Sequence, residues 1–172
     1  MHINLGYLSV TDGRMSDAKT HTKTALALFQ ETGNRVDEAK CFGNLGRLNF
    51  ETGDFEEARS YFDAELAAAR EMGDRQSATH AQLGLGSINL KVERFDEARA
   101  QLESALGIDR DIGKAGAECL SMNKLGQLDQ KMMRFEEALL HFEASLALAR
   151  RLRNSSLECQ FLGDLGILTV PD

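Results

Sequence analysis

The sequence predicts an all-α chain, a solenoid of antiparallel helix pairs stacked along its 172 residues. Three observations predict it. Leu-Gly returns at Leu5-Gly6, Leu45-Gly46, Leu85-Gly86, Leu125-Gly126 and Leu165-Gly166, each step 40 residues. A second motif keeps the same step: Phe55-Glu56-Glu57-Ala58, Phe95-Asp96-Glu97-Ala98 and Phe135-Glu136-Glu137-Ala138, with Met15-Ser16-Asp17-Ala18 as a degraded first copy. Composition agrees. The chain has no Trp and a single Pro, Pro171, and is rich in the helix formers Ala, Leu, Glu and Arg. A fixed period of this length marks a repeat array, in which each unit buries its apolar faces only by stacking on its neighbours.

The array divides into repeats of about 1–32, 33–72, 73–112 and 113–152, followed by a lone helix at 153–172. The first repeat begins inside its first helix, at Met1-His2-Ile3. The second shows the unit in full. Asn34 is an N-cap with Asp37 in the first turn. Ala39, Phe42, Leu45, Gly46 and Leu48 recur at helical spacing. Thr52-Gly53-Asp54 breaks the helix, with Gly53 in the left-handed C′ position and Asp54 with Glu57 as a capping-box-like start for the next. Ala58, Phe62, Leu66 and Ala69 form the second apolar stripe. Gly73 ends that helix and Asp74 caps the third repeat. Gly33 and Gly113 stop the corresponding helices elsewhere. The lone last helix carries Phe161, Leu162, Leu165, Ile167, Leu168 and Val170, and no partner helix follows it in the sequence.

Mid-helix glycine costs roughly 1 kcal/mol relative to Ala. Its recurrence in one frame therefore needs a common cause. The expected one is close helix crossing at Gly46 against Ala58 and at Gly86 against Ala98. Asn49, Asn89 and Asp129 share another frame, with Ser9 and Thr169 as outer members, and are expected as a ladder of buried polar groups bonding the backbone of the adjacent repeat, with part of a ligand surface as the alternative. Arg99 is expected on the outer face, where its removal does little.

These residues resemble the tetratricopeptide repeat, whose first helix carries Leu-Gly and whose second carries aromatic-x-x-Ala and then a further aromatic, here Phe62, Leu102 and Phe142. The usual period of that family is 34. The longer period here, with Glu-Thr-Gly-Asn-Arg at 31–35 and Glu-Met-Gly-Asp-Arg at 71–75, looks like the variant of Pins-type G-protein signalling modulators and of many bacterial regulators. Asn49, Asn89 and Asp129 stand where the family often has a first-helix aromatic, and the Pro that often ends the second helix is absent. The resemblance implies a right-handed superhelix whose first helices line a concave groove. It places in that groove Asn4, Tyr7, Lys40, Gly43, Asn44, Arg47, His80, Leu83, Ser87, Asn123, Lys124, Gln127, Gln160, Asp164 and Ile167.

Those residues point to a binding function. The groove so assigned is locally positive, through Lys40, Arg47, Lys91, Lys124 and Lys131 against Glu51 and Asp164, in a chain of net charge −7. Asn side chains pair with backbone amides, Arg47 grips carboxylates bidentately, and Lys40 and Lys124 act as point charges. The expected ligand is an acidic peptide or protein segment. Asn4, Tyr7, Lys40, Asn44, Arg47, His80, Ser87, Asn123, Lys124 and Gln127 are the candidate groove residues.

The acidic balance argues against a general nucleic-acid or anionic-membrane binder. No run of about 18 apolar residues or signal peptide is visible, and Cys41, Cys119 and Cys159 are too scattered for a disulfide framework, which points to a reducing, cytoplasmic setting. No catalytic or metal motif stands out: Glu56-Glu57 and Glu136-Glu137 sit at helix starts, the four histidines make no i,i+4 pair, and the cysteines read as small buried residues. The expectation is a non-enzymatic interaction module without cofactor, cut from a longer array. A sensor fragment of a larger bacterial regulator and a self-associating scaffold, with a homodimer through the terminal helices, are the alternatives.

Overall fold

The computed structural model describes residues 15–169, and among them eight helices and no strand. They are α1 (Met15–Thr32), α2 (Arg35–Glu51), α3 (Phe55–Met72), α4 (Arg75–Lys91), α5 (Phe95–Asp111), α6 (Ala115–Lys131), α7 (Phe135–Arg151) and α8 (Ser155–Thr169). Leu5-Gly6, Asn4, Tyr7, Ser9 and Val170 lie outside the described residues, as do the side chains of Cys159, Ile167, Leu168 and Thr169.

Turns of two or three residues join the helices and reverse the chain each time. Gly33, Gly53, Gly73 and Gly113 adopt positive φ, as their helix-ending role requires. Three equivalent positions do so without glycine: Glu93, Met133 and Arg153, at φ 60°, 60° and 53°. Asn34 caps α2, its Oδ1 accepting from the Asp37 amide at 3.2 Å. Asp74 caps α4, accepting from the amides of Gln76 and Ser77 at 3.0 and 3.1 Å. Asp54 departs from expectation. Its side chain makes no cap hydrogen bond; Oδ2 instead accepts from Lys19 Nζ at 3.0 Å and Thr52 Oγ1 at 2.8 Å. An ammonium on α1 has drawn the carboxylate away from the helix end.

The fold comprises two compact units, divided between Ile88 and Asn89 within α4. In the first, α1 packs on α2 and α2 on α3. Ala58, Phe62, Leu66 and Ala69 of α3 meet Ala78, Ala81, Leu85 and Ile88 of α4 in one core, with Phe50 and Phe55 packed against it. In the second, α5 packs on α6, α6 on α7, and α8 on both α7 and α6.

The helical glycines face a different partner from the one expected. A Cβ on Gly46 would stand 2.8 Å from the Phe62 ring, and one on Gly126 would stand 2.7 Å from the Phe142 ring. The glycine therefore makes room for the large aromatic of the second helix rather than for the alanine of its first turn. Phe62 needs a second opening: a Cβ on Gly84 would lie 2.5 Å from the tip of the same ring. Two first helices thus yield space to one buried phenylalanine.

The polar frame is buried, as expected, with Asn49, Asn89 and Asp129 all at 3% exposure or less. Its bonding is not that of a uniform ladder. Asn49 Nδ2 donates to the Leu45 carbonyl of its own helix at 2.9 Å. Asp129 accepts from Arg99 of α5 and lies 2.9 Å from His141 Nδ1 of α7. The expectation for Arg99 is accordingly corrected: a buried carboxylate holds its guanidinium.

Candidate binding face of the first helices

The first helices bring several of the sequence-predicted groove residues together. Lys40 and Asn44 of α2 and His80 of α4 line one cavity of about 470 Å³ with Gly43, Glu65, Asp74, Gln76 and Ser77. The helical repeat explains the placement. Residues 40, 43, 44 and 47 recur at three- and four-residue spacing and share one face of α2. The α4 N-terminus, capped by Asp74, closes one side.

Glu65 is the residue that sequence reasoning missed. It belongs to α3, a second helix, whose side chains were not expected on this face. Only 4% of its side chain is exposed, yet its carboxylate lines the cavity. Gly43 makes that possible, since a Cβ there would stand 2.5 Å from Glu65 Oε1. The other copies carry Ile3, Leu83, Asn123 and Gly163 at the Gly43 position and Ala25, Ala105 and Ser145 at the Glu65 position. The Glu65 opening therefore belongs to this repeat alone. A glycine outside the Leu-Gly frame was the available signal.

Glu65 is held by His80, whose Nδ1 lies 2.9 and 3.0 Å from the two carboxylate oxygens. The His80 ring also stands edge-on to Phe62, centroids 6.0 Å apart. Burial is the main influence on Glu65 and pushes its carboxyl above the usual range; the His80 hydrogen bond and charge work the other way, and the negative Asp74 adds to the rise. His80 is raised as well, first by its hydrogen bond to Glu65; burial opposes this, the Glu65 charge reinforces it, and the Arg47 cation opposes it.

The expected cations of this unit are engaged at home. Lys40 Nζ donates to Asp37 Oδ1 at 2.8 Å, three residues back on its own helix. Arg47 is 2.7 Å from Glu51 Oε1, four residues on. Such exposed pairs contribute little to stability, but they soften the positive face anticipated from sequence. Ser87, half-buried, lies further along α4.

In the second unit Asn123, Lys124 and Gln127 form one network on α6. Asn123 Nδ2 donates to Asp164 Oδ2 of α8 at 2.9 Å, Gln127 Nε2 donates to Asn123 Oδ1 at 3.2 Å, and Lys124 Nζ donates to Gln127 Oε1 at 3.1 Å. Burial holds the Lys124 ammonium below the usual lysine range; Asp164 counteracts this and the like charge of Lys91 adds to it. Asn123 is fully buried and so serves to orient its neighbours. Cys41 and Cys119 are buried thiols, Cys41 pushed up to about 11 chiefly by burial and Cys119 raised for the same first reason, which makes both poor nucleophiles.

No helix among the described residues is long and apolar enough to cross a membrane. No curated protein matches the chain. Among solved structures, the apo form of RapI superposes with a TM-score of 0.87 at 16% identity, covering 98% of this chain and 62% of RapI. BtubC (BKLC) from P. vanneervenii gives 0.81 at 20% identity, covering 95% of this chain and 68% of that one. A signal-transduction ATPase with a tetratricopeptide repeat sensor, from Pyrococcus horikoshii, gives 0.81 at 18% identity, covering 97% of this chain and 25% of the ATPase. At these identities the likenesses establish the fold. The sequence profile of the tetratricopeptide repeat matches residues 1–71, 49–111 and 74–151, and the chain belongs to that family.

Proposed function

We propose that this chain is a protein–protein interaction module that seats a peptide or protein segment along the faces of its first helices. Tetratricopeptide repeats are binding modules as a class, and the polar, accessible cavity over α2 and α4 is the observation that carries the reading here. It has the size of a side-chain or small-ligand pocket, with a few convergent polar groups on a rigid scaffold.

The acidic character of the segment is assigned to the second unit. Lys91 is exposed, and Lys124 feels its charge while partly withdrawn from water. An arriving carboxylate would add to the Asp164 charge that already counters the burial of Lys124, and would offset the like charge of Lys91. Lys40 and Arg47 contribute less, because Asp37 and Glu51 already face them.

Selection of a random peptide library on the purified chain tests the proposal. Retained peptides should be enriched in Asp and Glu, bind more weakly as salt is added, and be lost when Lys91 and Lys124 are both changed to Glu. Peptides that survive both changes would move the site to another surface.

A second reading draws on the likeness to the P. horikoshii protein, whose repeats form a sensor in an ATPase. A sensor segment of a larger regulator would use the same face. The sequence flanking this chain in its parent gene tests it: a nucleotide-binding or DNA-binding domain there supports it.

A further inference from the structure

We propose that the cavity over α2 and α4 takes a basic group, the guanidinium or ammonium of an Arg or Lys side chain, on the carboxylates of Glu65 and Asp74. The inference rests on the reading of the first helices as a segment-binding face, and it names the chemistry of one subsite.

The charges around the cavity carry the argument. The groups that face His80 are Glu65 from α3, Lys40 and Arg47 from α2, and Asp74 at the start of its own helix. Lys40 and Arg47 are each paired with a carboxylate of their own helix, Asp37 and Glu51. The Lys40 charge also favours the ionised form of Asp74, so the two carboxylates of the cavity face one imidazole and one ammonium that they share with Asp37. Glu65 and Asp74 are close enough that the charge of one disfavours the charge of the other. Two like charges bordering one cavity of about 470 Å³ favour a cation between them.

Geometry makes the site specific. Glu65 is buried to its tip, and the missing side chain at Gly43 is what lets its carboxylate border the cavity. Asp74 has its oxygens ordered by the Gln76 and Ser77 amides and by Ser77 Oγ at 2.6 Å. A planar guanidinium has the fork of donors that two fixed carboxylates can share. The methylene stem of such a side chain would lie beside Asn44, and the Asn44 amide offers it a further acceptor.

Binding is linked to a proton. The cation competes with His80 for Glu65, so the imidazole gives up its proton as the ligand arrives. Occupancy therefore tightens as pH rises through the histidine's titration, the opposite of what a carboxylate ligand on His80 and Lys40 would do.

Single-residue probes test the subsite on the whole chain. The His80 ring resonance is followed by NMR, identified as the signal missing from His80→Gln, while N-acetyl-arginine methylamide, the glutamate analogue or the leucine analogue is added. The arginine probe should shift the signal saturably and lower the apparent pKa of His80, and the leucine probe should do neither. The shift should vanish in Glu65→Gln and weaken several-fold in Asp74→Asn, a variant that keeps an N-capping side chain and decides the matter if Glu65→Gln does not fold. An arginine probe that leaves His80 unmoved, or a shift that persists in both variants, overturns the proposal. A glutamate probe that raises the His80 pKa while arginine does nothing reassigns the cavity to acidic groups. Because the probes are single residues, their failure leaves the outcome of peptide selection open, and a failed selection leaves theirs open.

Discussion

The Arg99 guanidinium of α5 is ion-paired with the Asp129 carboxylate of α6, and that carboxylate is 1% exposed. His141 Nδ1 closes the arrangement from α7 at 2.9 Å, so three successive helices meet on one buried charge. Arg99→Ala would leave the carboxylate with His141 alone. The expected loss is about 1–3 kcal/mol, the cost of an undercompensated buried group. The repeat supplies its own rescue: Asn stands at the equivalent positions 49 and 89. Asp129→Asn added to Arg99→Ala should recover most of the loss in a urea denaturation series. Additive losses would show that the pair does not couple.

Gly126 makes a second case. A Cβ there would press on the Phe142 ring at 2.7 Å, and Phe142 is wholly buried. Gly126→Ala should destabilise the chain by about 1–2 kcal/mol, the overpacking cost less the gain in helix propensity. Gly116→Ala meets nothing within 4 Å and should be neutral or stabilising. Equal midpoints for the two variants would remove the ring from the explanation of the Leu-Gly frame.

Helix order was legible because several ends carry a local signal, Asn34 and Asp74 as caps and Gly33, Gly53, Gly73 and Gly113 as stops, and the period extends it to the ends that carry none. The period itself announced the stacking. What the period concealed is whatever one repeat does alone. Glu65 and Gly43 sit on different helices, 22 positions apart, and only packing brings the carboxylate through the gap. Arg99 and Asp129 likewise lie on neighbouring repeats, and the Arg reads from sequence as one more exposed cation. Lys40 and Arg47 share one face of α2, and each is ion-paired there with a carboxylate of its own helix. Asp37 and Glu51 sit one helical turn away on the same helix, so i,i+3 and i,i+4 spacing could have shown the pairing.

Met133 holds a left-handed conformation at φ 60° where the equivalent residue in the second repeat is Gly53. Its side chain is 71% exposed, so little packing depends on it. Met133→Gly should therefore stabilise the chain by up to about 1 kcal/mol, relief of the left-handed strain outweighing the added freedom of the unfolded chain. A lower thermal midpoint for the variant would show that the methionine makes a contribution the turn geometry does not reveal.

The His80–Glu65 pair sets the sign of a pH effect on stability. His80 has its pKa raised by folding, mainly through the hydrogen bond to Glu65. A group raised in this way contributes its full stabilisation below its unfolded pKa, about 6.5, and loses it as pH rises through the higher folded value. Glu65 is raised too, chiefly by burial, so it also favours the folded state more as pH falls. The two titrate as a coupled pair and act in the same direction. The urea midpoint of the unmodified chain should accordingly fall between pH 6 and pH 8.5, and it should fall less in His80→Gln, which keeps a neutral donor but cannot carry the proton. Comparing the two chains cancels whatever the rest of the sequence, identical in both, contributes. A midpoint that rises over this interval, or falls equally in both chains, would mean that Glu65 is not sustained by a protonated His80 in the folded state.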